Sequence, residues 1–503
     1  MILKELLARS AARTPEALAV SAPDGKISYG ELDRLANRLA RTLAGLGVGK
    51  GDRVGVWLEK SVKTVAAMQA ALRLGAAYVP LDPLAPAARI RLIVGNCQMK
   101  TVVTTKHRAQ SVLTEELAGV PAVCVDEAWQ GPSWAEVLAF PADPLPEPDV
   151  TENDLAYILY TSGSTGIPKG VCISQLNALA FIEWAGNEMQ TTAADRLANH
   201  APFHFDLSVL DLYVAFRHGA SVHLIPDSLS YSPKKLVEFV LRENITIWYS
   251  VPSVLTLMMD EGGFLELPSI PLRVINFAGE PFPIRKLRPL WEHWGQTARF
   301  LNLYGPTETN VCTFYEVKEI EPERIKPVPI GIACSGDRVW AVKEDGTTAG
   351  VGEEGELMCE GPTVLMGYWG KEPHGKKPYN TGDVVRLRED GNYEYIGRRD
   401  QMVKVRGNRV ELGDIEAVLA QHPDIGEAAV VVSGSGLEAQ LVAFAVSRAD
   451  PPPGLLAIKR HCAERLPRYM IVHDIRYLEA LPRTRNGKVD RLTLTREAAP
   501  SGN

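Results

Sequence analysis

The stretch Leu159–Gly170, written LYTSGSTGIPKG, constrains the fold of this chain more than any other. Apolar runs with period-two alternation flank it, which predicts a strand, a tight loop and a second strand. The loop combines little side-chain bulk with many backbone N–H groups, hydroxyl groups and one lysine, which suits the wrapping of a polyphosphate. It therefore predicts a nucleotide-binding loop, with a flexible surface turn as the alternative. The candidate phosphate contacts are Thr161, Ser162, Gly163, Ser164, Thr165, Gly166 and Lys169.

Two better-known phosphate-binding loops are excluded by the same stretch. The pattern G-x-x-x-x-G-K-[ST] is absent, and Pro168 directly before Lys169 does not suit an opening helix, so a P-loop ATPase is disfavoured. The pattern G-x-G-x-x-G is also absent from the loop, which leaves a dinucleotide-binding fold without support.

Composition and charge exclude further classes of protein. The 503 residues are too many for one simple core. A formal net charge of −7 argues against a general nucleic-acid or anionic-membrane binder. No apolar run reaches the roughly 18 residues of a membrane span, and the amino terminus predicts an amphipathic helix rather than a signal peptide. Seven cysteines without metal-ligand spacing indicate reduced thiols and a cytoplasmic location.

Strand-like and helix-like segments alternate along the first part of the chain, which predicts an α/β domain with a parallel sheet. A surface connection rich in Pro, Asp and Glu, at 131–153, separates two such stretches. From about residue 325, short strands and Gly-containing turns indicate a β subdomain, with a hairpin turn at Asp390-Gly391. The pattern then restarts as a compact α+β unit. We predict an N-terminal domain over 1–399 and a C-terminal domain over 400–503.

Five separated strings follow one another along the chain: YTSGSTGIPKG, NLYGPTE, YNTGD, GRRDQMVKVRGNRVELGDIE and NGKVDR. With GAAYVPLDP near the start and GYW at 367–369, they resemble the adenylate-forming superfamily, specifically the amino-acid adenylation domains of nonribosomal peptide synthesis. The resemblance covers essentially the whole chain. It implies the luciferase-like and acyl-CoA-synthetase-like α/β fold, with a large N-terminal core and a small, mobile α+β C-terminal domain. It also implies that ATP activates a carboxylic acid, which is then transferred to a thiol.

The chemistry of that reaction explains which residue types are needed. A carboxylate oxygen attacks the α-phosphorus of ATP, and negative charge develops on phosphate oxygens, so cations and a metal must meet it. The resemblance assigns Lys488 to the substrate carboxylate and the α-phosphate, where a solvated surface lysine is the alternative. It assigns Glu308 to Mg²⁺, a hard oxygen ligand for a hard ion, and Thr307 to the α-phosphate.

The remaining nucleotide contacts also follow from the resemblance. Tyr304 would stack on adenine, Asn302 would read the adenine edge, and Gly305 belongs to the same string. Asp383 would accept hydrogen bonds from the ribose hydroxyls, and Arg398 would lie on the ribose–phosphate side. A core position for Tyr304 and a turn position for Asp383 are the alternatives.

Asp400 matches the hinge about which the small domain of this family rotates between two half-reactions. One geometry cannot both present Lys488 for adenylation and open a tunnel to a thiol, so a change concentrated in one or two residues is needed. Lys404 would enter the site in the second conformation.

Asp206, in the string FHFDLSV, has apolar neighbours on both sides. A buried carboxylate without a partner is costly, so a ligand ammonium is its natural complement. In the family, the aspartate at this position pairs with the α-amino group of the substrate, which argues against fatty and aryl acids. The alternative is a structural cap for a helix that begins at Ser208.

The other positions that match the family's pocket offer a substrate side chain no charge and few hydrogen bonds. The set resembles the L-proline pocket of free-standing prolyl-adenylating enzymes, although Asn276 stands where an apolar residue is expected. D-Alanyl carrier-protein ligases are the nearest rival, but their pocket has a cysteine where Ala278 stands here, and the added room favours a ring over a methyl group. The candidate pocket residues are Asp206, Leu207, Leu210, Tyr249, Asn276, Ala278, Gly279, Leu303, Val311 and Cys312.

Lys488 is followed by only fifteen residues, so we expect a free-standing enzyme that loads a separate phosphopantetheinylated carrier protein, as in antibiotic or toxin biosynthesis. We expect neither nucleic acid nor a membrane as a partner. An acyl-CoA ligase and a catalytically silent nucleotide or amino-acid sensor remain alternatives. The presence of both Lys488 and Glu308 disfavours the sensor.

Overall fold

The computed structural model describes residues 1–114, 117–146, 148–161, 168–230, 232–398, 402–434, 436–483 and 489–499, with the backbone alone at Met402, Lys404, Arg409 and Leu492. These residues form two compact units. The first unit comprises 1–83, 94–159 and 170–397, and the second comprises 84–93, 160–169 and 398–503. The predicted domain boundary at 399/400 lies outside the described residues and stays a prediction.

Several helices begin at a side chain that caps the helix. Ser28 and Glu31 form a capping box at the start of the second helix, as the string S-x-x-E predicts. The helices are α1 (Leu3–Arg13), α2 (Tyr29–Gly45), α3 (Val62–Arg73), α4 (Ala87–Asn96), α5 (Lys106–Val112), α6 (Trp134–Ala139), α7 (Gln175–Glu188), α8 (Leu207–His218), α9 (Pro233–Arg242), α10 (Pro252–Asp260), α11 (Ile284–Trp294), α12 (Leu412–Ala420), α13 (Leu455–Ala463) and α14 (Arg491–Ala498).

The strands of the first unit alternate with these helices before the β subdomain. They are β1 (Leu18–Ala22), β2 (Gly25–Ser28), β3 (Arg53–Val56), β4 (Ala77–Pro80), β5 (Thr101–Thr104), β6 (Ala122–Cys124), β7 (Leu155–Thr161), β8 (Lys169–Ser174), β9 (Arg196–Asn199), β10 (Ser221–Leu224), β11 (Ile247–Ser250), β12 (Val274–Phe277), β13 (Arg299–Tyr304), β14 (Thr313–Glu316), β15 (Ile332–Ala333), β16 (Arg338–Val342), β17 (Glu354–Glu360), β18 (Gly367–Tyr368), β19 (Tyr379–Leu387) and β20 (Tyr393–Arg398).

Two largely parallel sheets form the centre of the first unit. One has the order β18-β8-β7-β4-β3-β5-β6, and the other has the order β15-β14-β13-β12-β11-β9-β10-β1-β2. Strands β9 to β13 run parallel to one another, as do β3 to β6. This confirms the predicted parallel α/β organisation, and it confirms the strand–loop–strand prediction for the ends β7 and β8.

One hydrophobic cluster joins both sheets and the helices packed on them. It includes Leu39 of α2, Val65 of α3, Tyr157 of β7, Tyr213 of α8 and Val222 of β10, each fully buried. Burial of this apolar surface is the main force that holds the layers together.

The β subdomain is a sheet of order β16-β17-β19-β20. Its hairpin turns at Asp390-Gly391, as predicted: the Gly391 N–H donates to the Arg388 carbonyl at 3.1 Å, and Gly391 has a φ of 82°. A positive φ is accessible to glycine without strain, which explains the residue type at this position.

The second unit contains β21 (Met402–Val405), β22 (Asn408–Glu411), β23 (Ile425–Ser433), β24 (Gln440–Ser447) and β25 (Asp474–Tyr477). β21 and β22 form a hairpin, and β23-β24-β25 form a sheet whose core includes Ile415 of α12 and Ile458 of α13. This confirms the predicted α+β unit. No helix within the described ranges is both long and apolar enough to cross a membrane.

Candidate active site

Three segments of the first unit that carry predicted site residues follow strands of the second sheet, at one edge of that sheet. Because β9, β11, β12 and β13 are parallel neighbours, their carboxyl ends meet at that edge. Asp206 follows β9, Ala278 follows β12, and the turn that contains Glu308 follows β13. Crevices outside the carboxyl ends of parallel strands are the usual ligand sites of open α/β sheets.

The turn after β13 approaches its own continuation so closely that it requires glycine. A Cβ atom at Gly305 would lie 1.8 Å from the Asn310 carbonyl oxygen. The Cys312 N–H donates to the Tyr304 carbonyl at 2.9 Å, and the Thr309 N–H donates to the Pro306 carbonyl at 2.9 Å. The turn therefore has a fixed shape, which holds Thr307 and Glu308 between two strands.

Glu308 is buried, with 1% of its surface exposed. Its Oε1 accepts a hydrogen bond of 2.8 Å from the Tyr368 hydroxyl, which lies 3.4 Å from the Tyr379 hydroxyl. The Glu308 carbonyl accepts from the Leu365 N–H at 2.8 Å. Tyr368 belongs to β18, which pairs with β8 directly after the Ser/Thr/Gly stretch.

Asp383 lies within β19 and is 2% exposed, so the interpretation of this residue as a turn residue is wrong. Gly382 before it has a φ of 71°, and the register with β17 shifts there, which is the geometry of a β-bulge. The Tyr304 hydroxyl donates to Asp383 Oδ2. Burial raises the pKa of Tyr304 well above its usual value, and the Asp383 charge adds to the effect.

Tyr304 and Asn302 have contacts beyond those predicted for adenine. Tyr304 is 7% exposed and belongs to the hydrophobic cluster, so it has the core position that the alternative describes. The Asn302 side-chain amide donates to the Pro329 carbonyl at 2.7 Å. The predicted roles of both residues toward the base stay predictions.

Asp206 precedes α8 directly, yet its side chain makes no capping hydrogen bond, and the helix begins at Leu207 rather than Ser208. Asp206 therefore occupies the N-cap position that the alternative describes, but without a capping hydrogen bond from its side chain. Burial raises the pKa of Tyr249 well above its usual value, and the Asp206 charge raises it further. Burial, Tyr213 and Asp206 likewise raise the pKa of Tyr157. The charge of the half-buried Asp206 thus acts on two buried phenols.

The residues predicted to form the apolar wall belong to the hydrophobic cluster of the first unit or pack against it. Gly279, with a φ of 93°, follows Ala278 at the end of β12. Leu207 packs against the hydrophobic cluster, and the other apolar pocket residues belong to it: Leu210, Tyr249, Ala278, Leu303, Val311 and Cys312.

Asn276 is the polar exception in this wall. It is fully buried on β12, in register with Tyr249 of β11. Its Nδ2 lies 3.1 Å from the Met189 sulfur, and its Oδ1 has no hydrogen-bond partner among the described residues. An unsatisfied buried amide oxygen costs free energy, so this atom is a candidate contact for a ligand donor.

Other predicted site residues belong to the second unit or fall outside the description. Thr161 ends β7, Lys169 begins β8, and Arg398 ends β20, and all three are assigned to the second unit. The backbone of Lys404 lies in the β21–β22 hairpin of that unit. Residues that lie outside the described ranges are Ser162, Gly163, Ser164, Thr165, Gly166, Asp400 and Lys488.

The sequence reasoning missed three tyrosines of the site. Tyr368 and Tyr379 hydrogen-bond near Glu308, and the Tyr157 hydroxyl donates to Asn310 Oδ1 at 3.4 Å. In the sequence, Tyr368 stands out only as part of the string GYW. Nothing local distinguishes a tyrosine that supports a carboxylate from one that fills a core.

Residues 7–369 match the family described as AMP-binding enzyme, and residues 414–488 match the AMP-binding enzyme C-terminal domain. An L-proline--[L-prolyl-carrier protein] ligase of Pseudomonas fluorescens is 50% identical over 496 residues, which cover 99% of each chain. A protein of the same name from Streptomyces coelicolor is 40% identical, over 94% of this chain and 92% of its own.

Among solved structures, the amide bond synthetase McbA from Marinactinospora thermotolerans matches with a TM-score of 0.90. The match covers 99% of this chain and 100% of the other, at 21% identity. This likeness confirms the predicted fold.

Proposed function

The chain belongs to the AMP-binding enzyme family, and from this premise we propose that it activates L-proline with ATP and transfers the prolyl group to a carrier protein. The observation that supports an amino acid as the substrate is Asp206, a carboxylate beside a wall that is apolar except for Asn276. Relatives named L-proline--[L-prolyl-carrier protein] ligase, 50% and 40% identical, support proline within that class.

The first half-reaction joins the carboxylate oxygen of proline to the α-phosphorus of ATP, with pyrophosphate as the leaving group. Asp206 would hold the proline ammonium, and the apolar wall would exclude water from the ring. Lys488 would meet the charge that develops on the α-phosphate. The buried Asp383, held by Tyr304, would accept hydrogen bonds from the ribose.

In the second half-reaction, a carrier-protein thiol attacks the acyl carbon of prolyl-AMP. A thioester forms, the bond from the acyl carbon to the phosphate oxygen breaks, and AMP leaves. The thiol proton goes to solvent or to AMP. The site must therefore keep the mixed anhydride from water until the thiol arrives.

The residues around Glu308 fit Mg²⁺ by the chemistry of their donors. Glu308 offers a buried carboxylate and Thr307 a hydroxyl, both hard oxygen ligands. Within the described ranges, no group of three or more His, Cys, Asp or Glu side chains could hold a metal ion alone. A site built from one carboxylate and substrate phosphates is the arrangement in which Mg²⁺ usually binds. When bound, the ion neutralises phosphate charge.

Tyr368 gives a test of this assignment. Tyr368→Phe removes the hydroxyl that donates to Glu308 Oε1 at 2.8 Å. Because partners of metal ligands set their orientation, we expect the Mg²⁺ concentration for half-maximal pyrophosphate exchange to rise about tenfold. Tyr379→Phe, one hydroxyl further from Glu308, serves as the control, with a smaller shift expected. Equal Mg²⁺ requirements in wild type and Tyr368→Phe would refute the assignment.

The experiment that tests the proposed function is pyrophosphate exchange with every proteinogenic amino acid, with L-proline and D-alanine compared directly. We expect L-proline to give the highest kcat/KM. Since a few methylenes are worth only about 1–3 kcal/mol, a preference of roughly 10- to 200-fold over D-alanine is expected. Thioester formation on carrier protein, and not on coenzyme A, then separates the proposal from an acyl-CoA ligase. Exchange with no amino acid would refute it.

A separate prediction concerns Asp400, the proposed hinge. Asp400→Pro fixes φ near −65° at that residue. If the two half-reactions need two conformations, we expect thioester formation to fall at least about tenfold while pyrophosphate exchange changes less than about threefold. Asp400→Ala, which keeps backbone freedom, is the matched control and should retain both activities. Equal losses in both half-reactions of Asp400→Pro would contradict the hinge.

A further inference from the structure

A buried lysine of the first unit contacts the start of the loop that leads to Asp206. Lys60 is 5% exposed, and its Nζ donates to the Asn199 carbonyl at 2.9 Å and to the His200 carbonyl at 2.7 Å. These two residues end β9 and begin the loop that leads to Asp206 and α8.

Keeping a cation at this position is costly, so its contacts must compensate. Burial lowers the pKa of Lys60 to about 8, while the charges of Asp227 and Asp211 oppose that shift. The Asn199 side chain donates to Asp211 Oδ2 at 3.2 Å. A cavity of about 10 Å³, about the smallest space that holds one water, is lined by Lys60 and Asp227 and by Pro202 and Phe203 of the loop.

Short-range hydrogen bonds link the residues within this loop. The Phe205 N–H donates to the Pro202 carbonyl at 3.0 Å, and the Ser208 N–H and hydroxyl both donate to the Phe205 carbonyl, at 3.2 and 2.7 Å. These are short-range turns that relate neighbouring residues to one another. Long-range contacts of this segment include the hydrogen bonds from Lys60 at the start of the loop and the Asn199–Asp211 hydrogen bond, which joins the end of β9 to α8. They also include His200, whose Nε2 lies 3.5 Å from the Ser230 carbonyl oxygen.

We propose that Lys60 is a positioning residue for the substrate amine: it fixes the His200–Asp206 loop and so holds the Asp206 carboxylate where the ammonium of the amino acid binds. The inference rests on the proposed function, because it concerns the same amine-binding carboxylate. A displacement of about 1 Å at such a contact can cost on the order of 100-fold in rate. The proposal thus assigns a specificity role to a residue outside the pocket wall.

The test is Lys60→Met, which keeps the length and apolar stem of the side chain and removes the ammonium. We expect the KM for L-proline in pyrophosphate exchange to rise at least about tenfold, with the KM for ATP within about twofold of wild type. Lys63→Met is the matched control. Lys63 lies in α3, and its Nζ donates to the Val125 carbonyl at 3.0 Å, outside the loop. It should leave both constants unchanged.

A double-mutant cycle separates positioning from general destabilisation. If Lys60 acts through Asp206, then Lys60→Met in an Asp206→Asn background should change the KM for L-proline less than about twofold. Affinity for cyclopentanecarboxylate, which lacks the amine, should be unchanged by Lys60→Met alone. Independent, multiplicative effects of the two substitutions, or an unchanged L-proline KM in Lys60→Met, would overturn the proposal.

Lys60→Gln is the second variant, in case the methionine variant does not fold. It keeps a hydrogen-bond donor without the charge, and a rise of at least about threefold in the KM for L-proline is expected; no rise would overturn the inference. Pyrophosphate exchange by the wild type in the same assay shows whether the inference alone fails or the proposed function fails with it. Active wild type with unaffected Lys60 variants refutes only the inference, whereas a wild type without amino-acid-dependent exchange refutes the proposed function and the inference with it.

Discussion

Lys488→Ala is expected to lower the rate of proline-dependent pyrophosphate exchange by about 100- to 1,000-fold, because removal of one preorganised donor to a developing oxyanion costs this much. Lys488 lies outside the described residues, so the expectation follows from the resemblance and the chemistry. The charge of the lysine is needed when the carboxylate oxygen bonds to phosphorus. It is not needed when the thiol attacks the finished adenylate.

The measurement should therefore separate the two half-reactions. Carrier loading from chemically prepared prolyl-AMP should fall less than about threefold in Lys488→Ala. Lys459→Ala, on α13 of the same unit, is the control and should leave both half-reactions at wild-type rates. Normal pyrophosphate exchange in Lys488→Ala would remove this residue from its role, and a parallel loss in both half-reactions would indicate damage to the unit as a whole.

Asp206→Asn is expected to raise the KM for L-proline about 30-fold or more, since truncation of one partner of a desolvated charge pair costs about 2 kcal/mol or more. The asparagine keeps the shape of the side chain and removes its charge. The KM for ATP should stay within about threefold of wild type. Pyrophosphate exchange at saturating ATP with varied L-proline measures the effect.

Cyclopentanecarboxylate, which is proline with a methylene in place of the ring nitrogen, is the matched ligand control. In the wild-type enzyme it would bring an apolar methylene, and no ammonium, to the Asp206 charge, which is unfavourable. Its inhibition constant should therefore stay equal or improve in Asp206→Asn, while the affinity for proline falls. If both ligands weaken together, or both KM values rise in parallel, Asp206 serves the structure of the loop and not the amine.

Local signals in the sequence predicted much of the fold. The Asp390-Gly391 hairpin, the strands on either side of the Ser/Thr/Gly stretch and the parallel α/β layers all follow from turn residues and periodicity, and all are confirmed. α4 was missed although Ile90, Ile93 and Val94 recur at helical spacing and are buried, because prolines precede it and the exposed Leu92 interrupts the pattern. β25 is also not predicted, because it is short and no turn signal marks it in the sequence.

The site was harder to predict, because its contacts join distant parts of the chain. Resemblance located Glu308 and Asp383, but the bonds that hold them come from Tyr368 and Tyr304, 60 and 79 residues away in sequence. Lys60 lies 139 residues from the carbonyl it holds. Such pairings depend on strand order and register, which single-sequence patterns do not contain.

The register between β11 and β12 sets Tyr249 directly beside Asn276. Because the two residues are neighbours across adjacent strands, a change at one alters the surroundings of the other. Both positions should therefore be randomised together when the substrate specificity of the enzyme is to be changed. A smaller residue in place of the phenol would open space next to an amide oxygen that lacks a donor among the described residues. The new volume would therefore suit substrates with hydroxylated or aminated rings better than substrates with more apolar rings.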